Sequence, residues 1–468
     1  MKTIGIIGAG VAGLTAGIAA RRAGLQAVIF EKNGFAGGNL TGWTRRGCHI
    51  DNCIHWLTGT RPDTELYRLW CDIGVLGDGV ELYRGDAFFT SRLGGEHITI
   101  WRDVARTRRD MLALSPADAP AVLRFTRAVE TFADGSASKA ALAGVCAYYA
   151  PLSLTALARR FVHPLLRAAL TAYIAGEFSA LALIAAYATF CGGNGDIPVG
   201  GSRAAAQRVA DRFVSLGGEL RLDTPVRRVV VSDGSATAVV TERGETVAVD
   251  GVVCACDPAV TFTRLLDRRY APRRLHTMYR HGRTYPVYSA VHTAFSCAAT
   301  APGTVVLDVP PFDVGGELCR RLVVRSYAHE PQFAPAGRTV VQCMIPLRRP
   351  ACEHWIALSN DGGAYAREKA RITAETAARL TPAFADVKPL DCWTPATYRQ
   401  YFGAPYGSFM GFALTRRAWL GRLPARVPRL RNVVLATQWA QPPGGLPLAA
   451  RAGQTAVQLL LGQGRSAV

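Results

Sequence analysis

The chain has 468 residues, about half of them apolar, so it forms a large core and is too long for one; two interleaved domains are expected. Its formal charge of +19 comes almost wholly from arginine, with Lys2, Lys32, Lys139, Lys369 and Lys388 the only lysines. The arginines are scattered with no basic stripe and no interleaved aromatics, which argues against a nucleic-acid partner and leaves open either codon bias or attraction to an anionic surface.

Twelve cysteines lie singly, without C-x-x-C pairs or a His/Cys cluster of metal-binding spacing, so no metal centre is expected. The N-terminus enters a strand at once, without a signal peptide ahead of it, and together these features point to a reducing cytoplasm.

Lys2 to Ile7 reads as a buried strand, followed by Gly8-Ala9-Gly10-Val11-Ala12-Gly13, a helix from Leu14 to Arg22 and a second strand from Leu25 to Phe30 that ends at Glu31. Each part has a task. Gly8 permits the tight turn, Gly10 lets the backbone approach a pyrophosphate, and Gly13 lets the helix pack on the sheet. The helix start, at Val11 and Ala12, offers free N–H groups and a positive dipole end to phosphate. Glu31, 18 residues beyond Gly13, is placed to accept from ribose hydroxyls. This is a dinucleotide-binding unit.

Lys32 to Asn39 follows, with the paired glycines Gly37 and Gly38, and then Gly47 to Gly59, which contains Asp51, His55 and Trp56. Here the sequence resembles the phytoene desaturase, carotenoid isomerase and retinol saturase group within the FAD-dependent amine oxidase superfamily. The resemblance implies FAD, with the paired glycines and the Asp51–Gly59 segment running past the pyrophosphate and isoalloxazine. Asn39 stands where the superfamily usually has a basic residue.

Ala168 to Phe190 is nearly continuously apolar behind Arg159, Arg160 and Arg167, but Glu177 near its centre would be costly in a bilayer, so buried helices are expected. Ile197 to Ser202 then opens a helix to about Leu216, ended by Gly217-Gly218. Leu220–Val226 and Arg227–Val231 read as a strand pair, followed by an Asp233-Gly234 turn, a strand from Ala236 to Thr241 and another from Thr246 to Val253. The resemblance implies that the backbone at Val226 contacts adenine; an ordinary strand valine is the alternative.

Near the end, Leu430 to Trp439 reads as a strand leading into a Pro/Gly loop, Ala440 to Pro447, and a helix to about Leu461. It resembles the C-terminal FAD segment of the desaturase group, which implies that Gln438, Trp439, Gly445, Leu446 and Pro447 face the cofactor.

The expected fold is therefore α/β: a Rossmann-type, glutathione reductase-like FAD-binding domain from residues 1–60, 196–265 and 428–468, with a discontinuous mixed α+β substrate domain from 61–195 and 266–427. The resemblance implies an oxidoreductase acting on carbon–carbon bonds of a lipophilic polyene, with reduced-flavin isomerisation and amine oxidation as the alternatives. Trp393, Tyr398, Tyr401, Phe402, Tyr406, Phe409 and Phe412 suit core or a substrate wall. His55 is the candidate catalytic side chain, since an imidazole exchanges protons near neutral pH, against the alternative of a structural histidine; Tyr406 is a lesser candidate. The arginine surplus with an apolar substrate makes peripheral membrane docking an open possibility, and the sequence leaves the oligomeric state unset.

Overall fold

Every residue of the Thr3–Ile7 strand beyond its first is buried, because the strand pairs in parallel on both sides, with Gln26–Phe30 and with Gly251–Cys254. Glu219–Arg221 and Val433–Leu435 complete a five-stranded parallel sheet. Strands covered on both faces read as unbroken apolar runs, which explains why they were visible in the sequence. The computed structural model describes residues 2–279, 284–415 and 422–462. Parts of the expected domain spans, 280–283, 416–421 and 463–468, lie outside the described residues.

The helix Val11–Arg22 packs between the sheet and two later helices, Gly201–Ser215 and Leu446–Leu460. At Gly453 a Cβ would sit 2.3 Å from the Ala12 carbonyl oxygen, so the last helix approaches the first backbone to backbone. The two ends of the chain thereby meet at one place.

Three expectations are corrected. Leu220–Val226 and Arg227–Val231 are not a strand pair: Glu219–Arg221 joins the parallel sheet, whereas Val226–Ser232 pairs with Ser235–Thr241 in a separate antiparallel sheet. Asp223, at positive φ, and Pro225 break the chain between them. The Thr246–Val253 run splits into Thr246–Ala248 and Gly251–Cys254, because Asp250 leaves the small sheet and pins the chain to Thr3, whose N–H its carboxylate accepts at 2.7 Å. In Leu430–Trp439 only Val433–Leu435 is strand, and Gln438–Ala440 forms a 3₁₀ turn.

A second, seven-stranded mixed sheet runs in the order Lys388–Trp393, Ala290–Ala298, Arg338–Pro346, Glu317–Ser326, Gly303–Val314, Ala87–Leu93 and Glu96–Trp101. Helices Arg349–Leu358 and Gly362–Leu380 cover one of its faces through an apolar cluster around Trp355, Ile372 and Phe295. The apolar run at 168–190 resolves into Pro164–Leu170 and Ala180–Cys191, separated by the stretch that holds Gly176 and Glu177. Both helices bury their side chains in a helical cluster with Phe125, Phe161 and Tyr187. Among the described residues no helix is long and apolar enough to cross a membrane, and no group of His, Cys, Asp and Glu is arranged to hold a metal ion. All twelve cysteines are free.

Candidate functional site

A cavity of about 520 Å³ is lined by the glycine turn of the first strand, by the C-terminal loop and helix, and by His292 and Met344 of the seven-stranded sheet. The turn is built as its sequence requires. Gly8 takes φ +108° and donates to the Phe30 carbonyl at 2.8 Å. Gly10 stands at the N-terminus of the Val11–Arg22 helix without a side-chain cap, and the first turn carries no acid. Its uncapped N–H groups and dipole end are left for an anion. A Cβ on Gly10 would meet no protein atom within 4 Å, so the space it opens belongs to the cavity. Gly38 lies against it, its Cβ position 3.2 Å from the Gly10 Cα. Gly13 differs: a Cβ there would collide with the Gly8 carbonyl oxygen at 1.9 Å, and the residue does not line the cavity. Gly13 shapes the turn from behind.

Glu31 is buried, and its carboxylate accepts from Ala9 N–H at 2.8 Å, Asn33 N–H at 3.0 Å and Asn33 Nδ2 at 2.8 Å. Burial pushes the Glu31 carboxyl above its ordinary value, and those hydrogen bonds oppose the rise. Lys32 turns its ammonium to the Gln400 carbonyl, which ties the strand end to the 400–402 segment; burial lowers its pKa. Asn39 donates to the Phe409 carbonyl at 3.2 Å and leaves its buried Oδ1 without a partner beside the cavity. A neutral acceptor therefore occupies the place where a cation is usual.

Pro225, Val226, Ala255, Cys256 and Asp257 line a further part of the cavity. The C-terminal segment closes the third side. Gly445, at φ +92°, starts the Leu446–Leu460 helix with no side-chain cap, a second uncapped helix end in the same cavity. Gln438 fixes this loop, accepting from Gly445 N–H at 2.9 Å while its Nε2 donates to the Phe409 carbonyl at 3.3 Å. Trp439 is buried on Phe412 and Tyr279 at ring separations of 5.0 and 5.5 Å.

The structure thus brings together Gly8, Gly10, Val11, Ala12, Glu31, Lys32, Gly37, Gly38, Asn39, His55, Val226, Gln438, Trp439, Gly445, Leu446 and Pro447 on one cavity. Sequence reasoning missed His292, Met344 and Ser408 in the remaining wall; Tyr398 and Phe409 were among the aromatics that suited core or a substrate wall, and Asn52 and Cys53 lie in the segment expected near the cofactor. Tyr398 donates to Asn52 Oδ1 at 2.9 Å, and His292 stacks on Trp393 at 5.0 Å with an interplanar angle of 11°. The wall aromatics divide: Tyr398, Tyr401, Phe402 and Phe409 line the cavity, whereas Trp393, Tyr406 and Phe412 do not. Tyr406 packs on Tyr288 in the core behind the sheet, so it is no longer a candidate near the cofactor.

His55 lines the cavity, but not as a group that exchanges protons near neutral pH. Burial first, then the positive charge of Arg325 and the neighbouring His292, push its pKa well below the ordinary imidazole value. It stays neutral. His292, also buried, is driven down to about 3 by the same loss of water. The cavity lining thus includes two neutral imidazoles, apolar rings and a thioether, together with two carboxyl groups, Glu31 and Asp257.

Paired glycine approaches, two uncapped helix N-termini and a carboxylate at the second strand's end are what an adenine dinucleotide with two phosphates needs. The residues fit FAD. The fold and site define a two-domain flavoprotein, and the comparisons identify the family: a model of the flavin-containing amine oxidoreductases matches residues 11–461. The chain belongs to that family and is an FAD-dependent oxidoreductase. It is 26% identical to a neurosporene-forming phytoene desaturase of Rhodobacter capsulatus, over 97% of this chain and 93% of that protein. It is 24% identical to a 4,4'-diapolycopene oxygenase of Methylomonas, over 96% of each. Among solved structures, wild-type putrescine oxidase bound to putrescine is similar in fold, with a TM-score of 0.62 at 18% identity, over 98% of this chain and 99% of that one.

Proposed function

We propose that this enzyme binds FAD in the cavity described above and uses it to desaturate or saturate carbon–carbon bonds of a lipophilic, polyene-like molecule. One observation carries the reading: every residue expected to touch the cofactor, Gly13 excepted, lines a single, mostly apolar cavity. Glu31 holds the ribose, the two helix starts at Val11 and Leu446 face the pyrophosphate and the pyrimidine end of the ring system, and the Val226 segment meets the adenine. Bound FAD supplies hydride acceptance or donation. The protein's part is to exclude water and to lay the substrate against the ring, with Trp56, Met344, Tyr398 and Phe409 as apolar surface.

The relatives that act on phytoene and diapolycopene support a polyene substrate. The cavity supports it over an amine, because a mostly apolar lining favours an apolar chain over a desolvated cation. We assign residues 1–60, 196–265 and 428–468 to the FAD domain and 61–195 and 266–427 to the substrate domain; the two sheets, which draw their strands from these spans, support the division. A reducing cytoplasmic setting with peripheral docking to an anionic membrane is part of the same reading, supported by the free cysteines and the arginine surplus.

Anaerobic spectroscopy of the purified yellow protein tests the reaction. A redox enzyme loses its flavin colour with polyene, or is reoxidised by it from the reduced state, and mass analysis of the product shows a change of two hydrogens. Activity only in the pre-reduced state, with the flavin left reduced and product mass unchanged, would establish isomerisation instead; bleaching by amines and not by polyenes would establish amine oxidation.

A further inference from the structure

The neutral state of His55 leaves open which of its nitrogens carries the proton, and its neighbours decide. Arg325, on the Glu317–Ser326 strand, is nearly buried and faces the loop that holds His55. Its Nη1 donates to the His55 backbone carbonyl at 2.7 Å and its Nη2 to the Tyr173 hydroxyl at 3.0 Å. The same hydroxyl lies 3.3 Å from His55 Nδ1. Arginine has donors and no acceptor, so the Tyr173 oxygen must accept from it. The tyrosine's own proton then has His55 Nδ1 as its acceptor in this group.

The alternative tautomer, with Nδ1 protonated, would aim a second donor at the tyrosine oxygen and leave the hydroxyl proton without an acceptor here. Leaving that hydrogen bond unmade in a partly buried group biases the tautomer about fivefold or more. The lock is reinforced by geometry. Arg325 grips the backbone of the residue whose ring Tyr173 orients, and Tyr173 is itself stacked on Phe89 at 5.8 Å with an interplanar angle of 8°. With Nδ1 used as an acceptor, Nε2 is left as the nitrogen for whatever occupies the cavity that His55 lines.

We propose that Arg325 and Tyr173 are positioning residues that lock the His55 ring as the Nε2–H tautomer, presenting a fixed hydrogen-bond donor to the cavity. The partner it suits is an acceptor atom, a carbonyl oxygen or an electron-rich ring nitrogen. His55 is thereby a donor that polarises or orients, and not a base. The assignment uses protein atoms alone and does not rest on which molecule is bound.

The test is nitrogen-15 NMR of the full-length, flavin-loaded protein labelled at histidine, with His55→Gln used to assign the signal. The expected wild-type pattern is a protonated Nε2 together with an unprotonated Nδ1 displaced upfield by the hydrogen bond it accepts. Tyr173→Phe removes the donor, and Arg325→Gln gives the tyrosine proton a competing acceptor in the amide carbonyl. In both variants the Nδ1 signal moves toward its unbonded position while FAD remains stoichiometric. A protonated Nδ1 or a doubly protonated ring in the wild type overturns the proposal, and so does an Nδ1 signal unmoved in both variants. A colourless protein would count against the flavin reading and leave this tautomer measurement intact.

Discussion

The Glu31 carboxylate accepts the backbone N–H of Ala9 at 2.8 Å, so the acid that ends the second strand also holds the glycine turn that ends the first. The contact spans 22 residues of chain and is buried. Glu31 thereby ties the glycine turn in shape, and under the proposed function it serves a second time, as a ribose acceptor. Glu31→Ala strips Ala9 and Asn33 of their acceptor, at about 1–3 kcal/mol for an unsatisfied buried donor. FAD affinity is expected to fall about 10- to 100-fold. Titration of the apoprotein, followed by quenching of FAD fluorescence, measures this; unchanged affinity would mean that the ribose is held elsewhere.

Two glycines of the same fingerprint should fail in opposite ways. A side chain at Gly10 points into empty cavity, so Gly10→Val is expected to keep the fold and abolish flavin retention. At Gly13 a Cβ collides with the Gly8 carbonyl oxygen at 1.9 Å, and the helix must move off the sheet. Gly13→Ala should accordingly lower stability by about 1–3 kcal/mol. Absorbance at the flavin band together with thermal unfolding separates the two. A Gly10→Val protein that purifies yellow with stoichiometric FAD would refute the role given to the turn.

The contrast between these positions shows how much of the site the residues disclosed on their own. The Gly8–Gly13 turn, Glu31 and the Gly444-Gly445 loop were legible because each task demands a residue type at a fixed spacing beside a strand or a helix start. Tyr398 and Phe409 were legible only as aromatics; whether a ring faces core or cavity depends on contacts made across the sheet, and Tyr406, three residues before Phe409, fell on the other side. His292 sits mid-strand with nothing local to mark it. His55 stood out in the sequence, but its protonation behaviour did not, since that is set first by burial and then by Arg325, 270 positions away. Asp250 shows the same limit in the fold: an apolar run at 246–253 gives no sign that one carboxylate will pass the chain from one sheet to another.

Membrane docking has a definite candidate surface. The helix Lys139–Tyr149 is rich in alanine yet buries only Tyr149, and the guanidinium groups of Arg124 and Arg160 lie 5.0 and 4.9 Å from the Tyr148 ring beside it. Cations flanking an exposed apolar helix suit an anionic lipid surface. Cosedimentation with phosphatidylserine-rich vesicles is expected at low salt and should weaken as salt screens it. Replacing Arg124 and Arg160 with glutamine should remove about 2 kcal/mol, or roughly 30-fold in binding, at about 1 kcal/mol per arginine near the surface. Equal sedimentation with anionic and neutral vesicles would dismiss the idea.

Asp257 should make the protein less stable as pH rises through the acidic range. Its carboxyl is buried at the end of the Gly251–Cys254 strand, with Oδ1 accepting from Tyr279 hydroxyl and Ala259 N–H at 2.8 and 2.7 Å, and Oδ2 without a partner. Burial outweighs those hydrogen bonds and raises the pKa from 3.8 to about 7. Between these values the folded protein keeps a proton that the unfolded chain has already released, so this group's contribution is fully present below pH 3.8 and is lost as pH climbs toward 7. The loss is on the order of 4 kcal/mol in all. Asp257→Asn keeps an acceptor for both donors and carries no titrating proton, so it is expected to flatten this part of the profile and to be the more stable protein at pH 8. Thermal unfolding of both proteins in their flavin-loaded form, followed by circular dichroism at intervals from pH 4.5 to 8, compares the slopes. Parallel curves would show that Asp257 ionises in the folded protein as freely as in water, and that its burial carries no electrostatic cost.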